Sequence, residues 1–566
     1  MEARSFDKAV SIAVVVLVLG LGTAAVVHSY YQVWKAREDL FYDSDADLVA
    51  VAEYLSSADL GNQQIYLAAQ HYRHPTLAFL SDYYDQVKWL PEGEALVLPP
   101  EGEALIVYPH STPAPEWAQA LLAAGAVTSG PAGPDGEPLY EIYRVPSSAE
   151  PAIDNPLNYR FGDAVTLLGY SLGSTDSGTV PLLLNWRIEN SSPESIQPFV
   201  HLEDQWGHRW SQVESFGYPS EQWSPGEVVT QRLEVPVTAG MPPGTYQTRI
   251  GFFNTETGEQ LGVFNNEGQY VGSAVTITGI PIDNIPLPDP LPEPAHPLNQ
   301  PAGSNLTLVG YERAGDAVET GANIDLSLWW YTSGPLQPAA VRLELVGDGN
   351  AGPILQPGKL PVHGTYPFES WGAPQFVIDH LNPRIADNTQ PGEYLLRMRL
   401  LDAGDQTITT ADLGSLTIVA ADHLYTPPDT SYPLEATFGG EIELLGYDLE
   451  QLSPTDYKLR LVWRALEQPS DSYTVFVHVL NQDGTCCAWQ QDIQPQQGSY
   501  PTDRWLSGEV VVDEYQITMP EDFPAGDYQI EMGLYLPSNG LRLSVDVPGM
   551  RLRDVLYLTQ PVVVGE

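Results

Sequence analysis

Tyr218-Pro219-Ser220-Glu221-Gln222-Trp223 decides the reading of this chain, because the pattern Tyr-Pro-x-x-x-Trp returns at Tyr366-Pro367-Phe368-Glu369-Ser370-Trp371 and at Tyr500-Pro501-Thr502-Asp503-Arg504-Trp505. Each copy sits in the same wider frame. Ahead of it an apolar run ends in Gly-Tyr (Gly169-Tyr170, Gly310-Tyr311, Gly446-Tyr447), and a second run ends in a Trp (Trp186, Trp330, Trp463). Behind it, 23 residues after the motif's Trp, stands a Gly-x-Tyr tyrosine: Tyr246, Tyr394 and Tyr528. A period of about 140 residues is a whole domain rather than a solenoid unit. Short apolar runs broken by Gly and Pro read as strands and turns, and such runs at regular intervals predict a β-sandwich.

The expected architecture is therefore mainly β and multidomain, with three tandem immunoglobulin-like antiparallel β-sandwiches at 159–281, 303–420 and 436–565. Tyr246, Tyr394 and Tyr528 stand two residues after a turn Gly, the place of a tyrosine corner whose hydroxyl ties the loop back to the sheet. Between the first two repeats, residues 285–301 hold seven prolines. This segment predicts an extended polyproline spacer, and 421–434 a shorter one.

Residues 43–147 differ. Helical spacing marks 47–55, 74–84 (Leu77, Phe79 and Leu80 inward) and 116–124, and short strands are expected at 65–68, 95–98, 104–108 and 139–145. Alternating strands and helices predict a small α/β domain. Before it, residues 9–27, opening on Ala9 and closing on Val27, carry no charge and are long enough to cross a bilayer core. Tyr30, Tyr31 and Trp34 follow at aromatic-belt depth. The run exceeds the usual signal-peptide core, and Thr23-Ala24-Ala25 is a poor cleavage site, so a retained anchor is expected over residues 1–42. Arg4 and Lys8 before it balance Lys35 and Arg37 after it, which leaves orientation undecided by charge. The large domain is expected to face outward, in a single-pass membrane protein.

The chain of 566 residues carries 25 basic and 73 acidic side chains, a net charge of −48. Such a surface repels phosphates, which excludes nucleic acid as a partner. The only cysteines, Cys486 and Cys487, are neighbours and cannot staple a domain, and the sequence places no ligand partner beside them. No nucleophile elbow, zinc helix, Walker loop or dinucleotide fingerprint occurs, so no catalytic residue, metal ligand or cofactor is assigned. His201 and His478 occupy matching positions where the middle repeat has Leu343, which reads as inward-facing and structural. Asp204, Asp348 and Asp483 read as hairpin-turn residues. Asp43-Ser44-Asp45-Ala46-Asp47 alternates like a calcium loop but lacks its Gly, and helix capping explains it better. The candidate contacts are Tyr218, Trp223, Tyr366, Trp371, Tyr500 and Trp505: exposed, these rings would stack on a glycan, while their fixed distance to a core tyrosine reads as packing.

The helix at 47–55, then His71-Tyr72-Arg73-His74-Pro75-Thr76-Leu77-Ala78-Phe79-Leu80 and Ala95-Leu96-Val97-Leu98-Pro99, resembles a known region. It is similar to the extracytoplasmic part that follows the last membrane helix of bacterial polytopic glycosyltransferases, the dolichyl-phosphate-mannose–protein mannosyltransferase and lipid A arabinosyltransferase group. Modules similar to Phe438-Gly439-Gly440-Glu441-Ile442-Glu443-Leu444-Leu445-Gly446-Tyr447-Asp448 are appended in such proteins. The resemblance implies a role beside a polyprenyl-phosphate-sugar-dependent transferase. The family's catalytic acids lie in a loop of a many-helix bundle, which one membrane helix does not provide, so no catalytic position carries over. The expectation is a non-catalytic, membrane-anchored portion or accessory of such a transferase. The alternative is a surface-exposed structural or adhesive rod whose sandwiches bind glycans or proteins.

Overall fold

In the computed structural model all residues are described except 1, 35–37, 59, 62, 124, 174–177, 193–194, 216, 259, 269, 284, 348–349, 483, 520–522, 538–539, 550–551 and 565–566. Asp348, Asp483, Lys35 and Arg37 lie outside the described residues. The protein is mainly β, with one long N-terminal helix, Glu2–His28, that continues as a π-helix over Ser29–Trp34. Its stretch Val14–Tyr31 has a mean hydropathy of 1.8 and no residue covered by other protein. The chain divides into two compact units. One comprises 1–236, 247–270 and 274–278; the other comprises 237–246, 271–273 and 279–566.

In the first unit a five-stranded sheet runs in the order Val87–Pro91, Gln64–Ala69, Glu103–Pro109, Tyr140–Pro146, Ala126–Ser129. Its first three strands are parallel, and the remaining pairings are antiparallel. Helix Ala46–Ser57 buries Leu48, Val51, Ala52 and Leu55, at the spacing of one helical face. The helix expected at 74–84 is only Pro75–Leu80. Leu77 is buried, but Phe79 is 89% exposed and Leu80 is exposed as well, which corrects their inward assignment. At about 100° per residue, Phe79 points nearly opposite Leu77. The 116–124 segment is a 3-10 turn, Glu116–Ala118, followed by one helical turn, Gln119–Leu122. Asp45 stands at the N-cap of Ala46–Ser57 without capping through its side chain; it accepts instead from Thr76 Oγ1 at 2.5 Å. Asp47, fully buried, satisfies Leu48 N and Ser111 N.

Ala95–Leu98 leaves the α/β sheet altogether. It pairs antiparallel with Val228–Pro236, so Leu98 faces Val228 and Ala95 faces Gln231. Ala95–Leu98 thereby edges a seven-stranded sheet in the order Tyr270–Gly272, Val263–Phe264, Asn155–Phe161, Val165–Leu172, Thr179–Ile188, Val228–Pro236, Ala95–Leu98. The α/β segment is thus joined to the first β segment by backbone hydrogen bonds. A fully apolar run such as Ala95-Leu96-Val97-Leu98 is what a strand buried on both faces requires.

In the second unit two pairs of sheets each enclose one core. Leu308, Trp330 and Val377 of one sheet meet Leu343, Met398 and Leu416 of another. Further along, Leu444, Trp463 and Tyr515 meet Val475, Val477 and Met532. Trp186, Trp330 and Trp463 are all fully buried, each adding on the order of 150–250 Å² of buried surface.

The spacers end differently from expectation. Strands His296–Pro301 and Tyr432–Phe438 begin inside the segments read as linkers, and with Asn155–Phe161 they pair with the Gly-Tyr strands. Pro156, Pro297 and Pro433 lie opposite Gly169, Gly310 and Gly446. A Cβ on these glycines would run into backbone oxygen of the facing strand, that of Asn155, His296 or Tyr432. The Gly of each Gly-Tyr is therefore a close-approach residue; proline is tolerated because His296–Pro301 is a sheet edge, and because the second neighbours of Asn155–Phe161 and Tyr432–Phe438 pair only at Arg160-Phe161 and Thr437-Phe438, beyond the prolines.

Candidate functional site

The three Tyr-Pro-x-x-x-Trp loops fold alike. Pro sets the entry to a 3-10 turn, at Ser220–Gln222, Phe368–Ser370 and Thr502–Arg504. The Trp indole then donates back to the carbonyl of the motif's Tyr, from Trp223 to Tyr218 O, Trp371 to Tyr366 O and Trp505 to Tyr500 O, at 3.1, 3.0 and 3.1 Å. Nine residues after each Tyr stands an acceptor for its hydroxyl: Glu227, Gln375 and Glu509. The same side chains accept the backbone N–H of Ser224, Gly372 and Leu506. Trp223, Trp371, Trp505 and Tyr218 are buried, and Tyr366 and Tyr500 are half-buried. The tryptophan faces are turned into the cores, so these six residues lock loops and the Trp rings offer no stacking surface to a sugar.

The second recurring lock is the tyrosine corner. Tyr246, Tyr394 and Tyr528 hydroxyls donate to Pro242 O, Gln390 O and Pro524 O at 2.5, 2.9 and 2.5 Å, each four residues upstream. A third lies thirteen residues after the motif Tyr. Asp379 and Asp513, both buried, accept from Val362 N and Gln496 N at 2.8 Å. Val362 has φ 52° and Gln496 φ 54°, a left-handed backbone that is rare for such residues and held by these bonds. Burial raises the Asp379 pKa to about 7, although the Val362 N–H opposes the shift.

In the first unit the lock becomes a joint. Glu227 is fully buried, and its carboxylate receives Tyr66 Oη at 2.7 Å, Tyr218 Oη at 2.8 Å and Ser224 N at 2.9 Å. The Lys88 ammonium reaches Glu227 Oε1 and also donates to Ser224 Oγ at 2.7 Å. Burial, then the Glu227 charge, push the Tyr66 and Tyr218 hydroxyls well above their ordinary pKa. Gln222 adds two bonds to the backbone of Trp89.

Beside this joint lies a cleft of about 540 Å³. Tyr72, Pro91, Glu92 and Glu94 line it from the C-terminal ends of two parallel strands, the end at which open α/β sheets take ligands. Glu214 and Glu221 line it from the β segment. Tyr72 donates to Glu221 at 2.8 Å, and Ser215 to Glu94 at 2.5 Å. Desolvation, then Glu221, raise the Tyr72 pKa to about 12. Glu92 is exposed with φ 56°, a strained lining residue. Four carboxylates and a phenol make a seat for a cationic or hydroxyl-rich ligand. No signal in the chain marks it, since four acids among 73 are indistinguishable before folding.

His201 is largely buried, and burial, then Arg209 and Arg249, pull its pKa down to about 4. His478 is fully buried, but on the face of its strand opposite Val475, Val477 and Val479 of the core; its register partner in the middle repeat is Glu344 rather than Leu343, which corrects the inward-facing assignment. Burial lowers its pKa, but hydrogen bonds to Asp492 and Glu531 more than offset this and hold it above the ordinary value. Asp204 closes a hairpin turn by accepting from Trp206 N and His208 N at 2.9 Å. Asn190 and Asn305, each opening an Asn-x-Ser/Thr triplet, donate through their amides to Asp163 O and Pro335 O. Compared with models of known protein families and with curated proteins, the chain matches none.

Proposed function

We propose that this is a membrane-anchored, non-catalytic protein whose β-rich part is three tandem immunoglobulin-like sandwiches displayed outside the cytoplasm, serving as the outward-facing portion or accessory of a polyprenyl-phosphate-sugar-dependent glycosyltransferase. The observation that carries it is the N-terminal helix, whose stretch Val14–Tyr31 leaves every apolar side chain uncovered by protein. Valine and leucine surface of that extent belongs in lipid. The sandwich reading is supported by the shared cores, the buried strand tryptophans and the three tyrosine corners.

The acidic cleft at 72, 91–94, 214 and 221 is the seat assigned to a hydroxyl-rich acceptor in this reading. The recurring loops are packing devices, which favours this cleft over the repeated tryptophans as the contact surface. The test is cross-linking in native membranes from the source cells, followed by recovery of the full chain and of its partners. Recovery of a polytopic membrane transferase, together with protease sensitivity of the β segments only from outside, is the expected result. Recovery in the soluble fraction, or no membrane partner after cross-linking, overturns the reading.

A further inference from the structure

Strand Thr474–Val479 pairs on one side with Trp489–Ile493 and on the other with Ile530–Leu536. Val475, Val477 and Val479 enter the core, so the alternation of the strand puts Phe476 and His478 on the opposite face. There His478 lies directly across from Glu531 on one neighbour, with Asp492 diagonal to it on the other. The loop between the first two strands folds Cys486 and Cys487 back over the same ring. The Cys486 Sγ is 3.8 Å from His478 Nδ1, and one imidazole nitrogen and both sulfurs all lie within 4.8 Å of one another.

We propose that Cys486, Cys487 and His478, completed by Glu531, bind one thiophilic divalent cation of the Zn²⁺ class, and that the site opens only when the cysteine pair is reduced. His478 Nε2 is 3.1 Å from Asp492 Oδ1, while Nδ1 is 3.1 Å from Glu531 Oε1. A ligating imidazole takes this arrangement, one nitrogen donating its N–H to a carboxylate and the other turned to the ion. Ligand bonds of roughly 2.0–2.3 Å in a tetrahedron place neighbouring donors about 3.3–3.8 Å apart. The separations of 3.1 and 3.8 Å around Nδ1 need little adjustment to reach that. The Asp492 side chain is 7% exposed, and its second oxygen has no protein partner, so this carboxylate is committed to the cluster and to nothing else among the described residues.

The fold itself does not require the cluster. On the corresponding strand of the first unit, His201 lies opposite Arg249, a cation where Glu531 stands here. On the middle one, Leu343 pairs with Met398 as Val477 pairs with Met532, so the residue in register with His478 is Glu344, which lies opposite Arg397. Neither has cysteines in its hairpin. The donor set is particular to one of three equivalent frames.

Cys486 and Cys487 are joined as a disulfide, which offers no thiolate. A dithiol reductant supplies two electrons and two protons, turning the S–S bond into two thiols as it becomes its own disulfide; a phosphine supplies the two electrons while water gives the two protons and the oxygen of the phosphine oxide. The entering cation then displaces both thiol protons to solvent and takes two thiolates. The proposal stands independently of any transferase.

The probe is Co²⁺ titrated into the detergent-solubilised full chain after phosphine treatment, read by thiolate-to-cobalt charge-transfer absorbance. That signal ignores the many surface carboxylates. One equivalent should bind to the reduced protein and none to the oxidised protein, and Zn²⁺ should displace it. The double variant Cys486→Ser/Cys487→Ser should lose the band with unchanged far-UV circular dichroism. Asp492→Asn should weaken binding by about 10–100-fold. A reduced protein with no charge-transfer band, a double variant that still shows it, or Asp492→Asn with unaltered affinity overturns the proposal.

Discussion

Tyr66 Oη donates to Glu227 Oε1 at 2.7 Å across 161 residues of sequence, and the Lys88 ammonium meets the same oxygen. An element of the α/β segment and one of the first β segment thus share one buried charge. A buried carboxylate is tolerable only while its donors are in place. Lys88→Met leaves Glu227 with hydroxyl and amide donors but no cation, and should cost about 3–5 kcal/mol. The double variant Lys88→Met/Glu227→Gln, which removes both charges, should recover a large part of that. Urea unfolding of the full chain measures both. A loss below about 1 kcal/mol for Lys88→Met would mean the pair is as solvated as a surface salt bridge.

Trp505 is fully buried and Trp371 nearly so, with both indoles tied to the carbonyl of their own motif tyrosine. Trp505→Ala and Trp371→Ala should each destabilise by about 3–5 kcal/mol through the cavity they open. Thermal melts and limited proteolysis report this directly. A Trp505→Ala protein that melts like wild type but loses retention on a glycan array would instead return the ring to a contact role.

Three scales of information explain what the sequence made legible. The repeat was visible because its markers are residues with one physical use each: Gly for close approach at 169, 310 and 446, Pro for the 3-10 entry, Trp and Tyr for bulk with a polar handle. The tyrosine-corner bonds could be expected from the turn Gly alone. Phe79 was misplaced because a six-residue helix has too few turns for spacing to define a face. Ala95–Leu98 was recognised as a strand but not as part of another sheet, since four apolar residues carry no partner information. The cleft and the His478 cluster were invisible for a related reason: Glu531 lies 53 residues from His478, and only strand pairing brings them together.

The tyrosine corners offer a graded comparison. Tyr528 and Tyr246 are buried, while Tyr394 is half-buried, and all three donate to a carbonyl four residues upstream. Tyr394→Phe should cost about 0.5–1.5 kcal/mol, the net value of an ordinary hydrogen bond. Tyr528→Phe should cost more, up to about 3 kcal/mol, because Pro524 O would be stripped of its donor in a drier place. Chemical denaturation of the two variants checks the order. Equal and negligible losses would show that the ring alone, without its hydroxyl, fixes the loop.

Asp379 supplies a pH signature. Its folded pKa of about 7 lies above that of an unfolded aspartate, about 3.9, so the native state binds the extra proton between those values. Stability must therefore fall as pH rises through that window and level off above it, by an amount on the order of a few kcal/mol. This is opposite in sign to a salt-bridged carboxylate, whose contribution is lost on acidification. Asp379→Asn keeps an oxygen for the Val362 N–H and removes the ionisation. Thermal melts of wild type and variant at matched pH isolate the effect, because every other group cancels in the difference. From pH 4.5 to 8 the variant should gain on wild type steadily, then hold a constant lead. A difference that does not change with pH would show that Asp379 ionises as freely in the folded protein as in the unfolded chain.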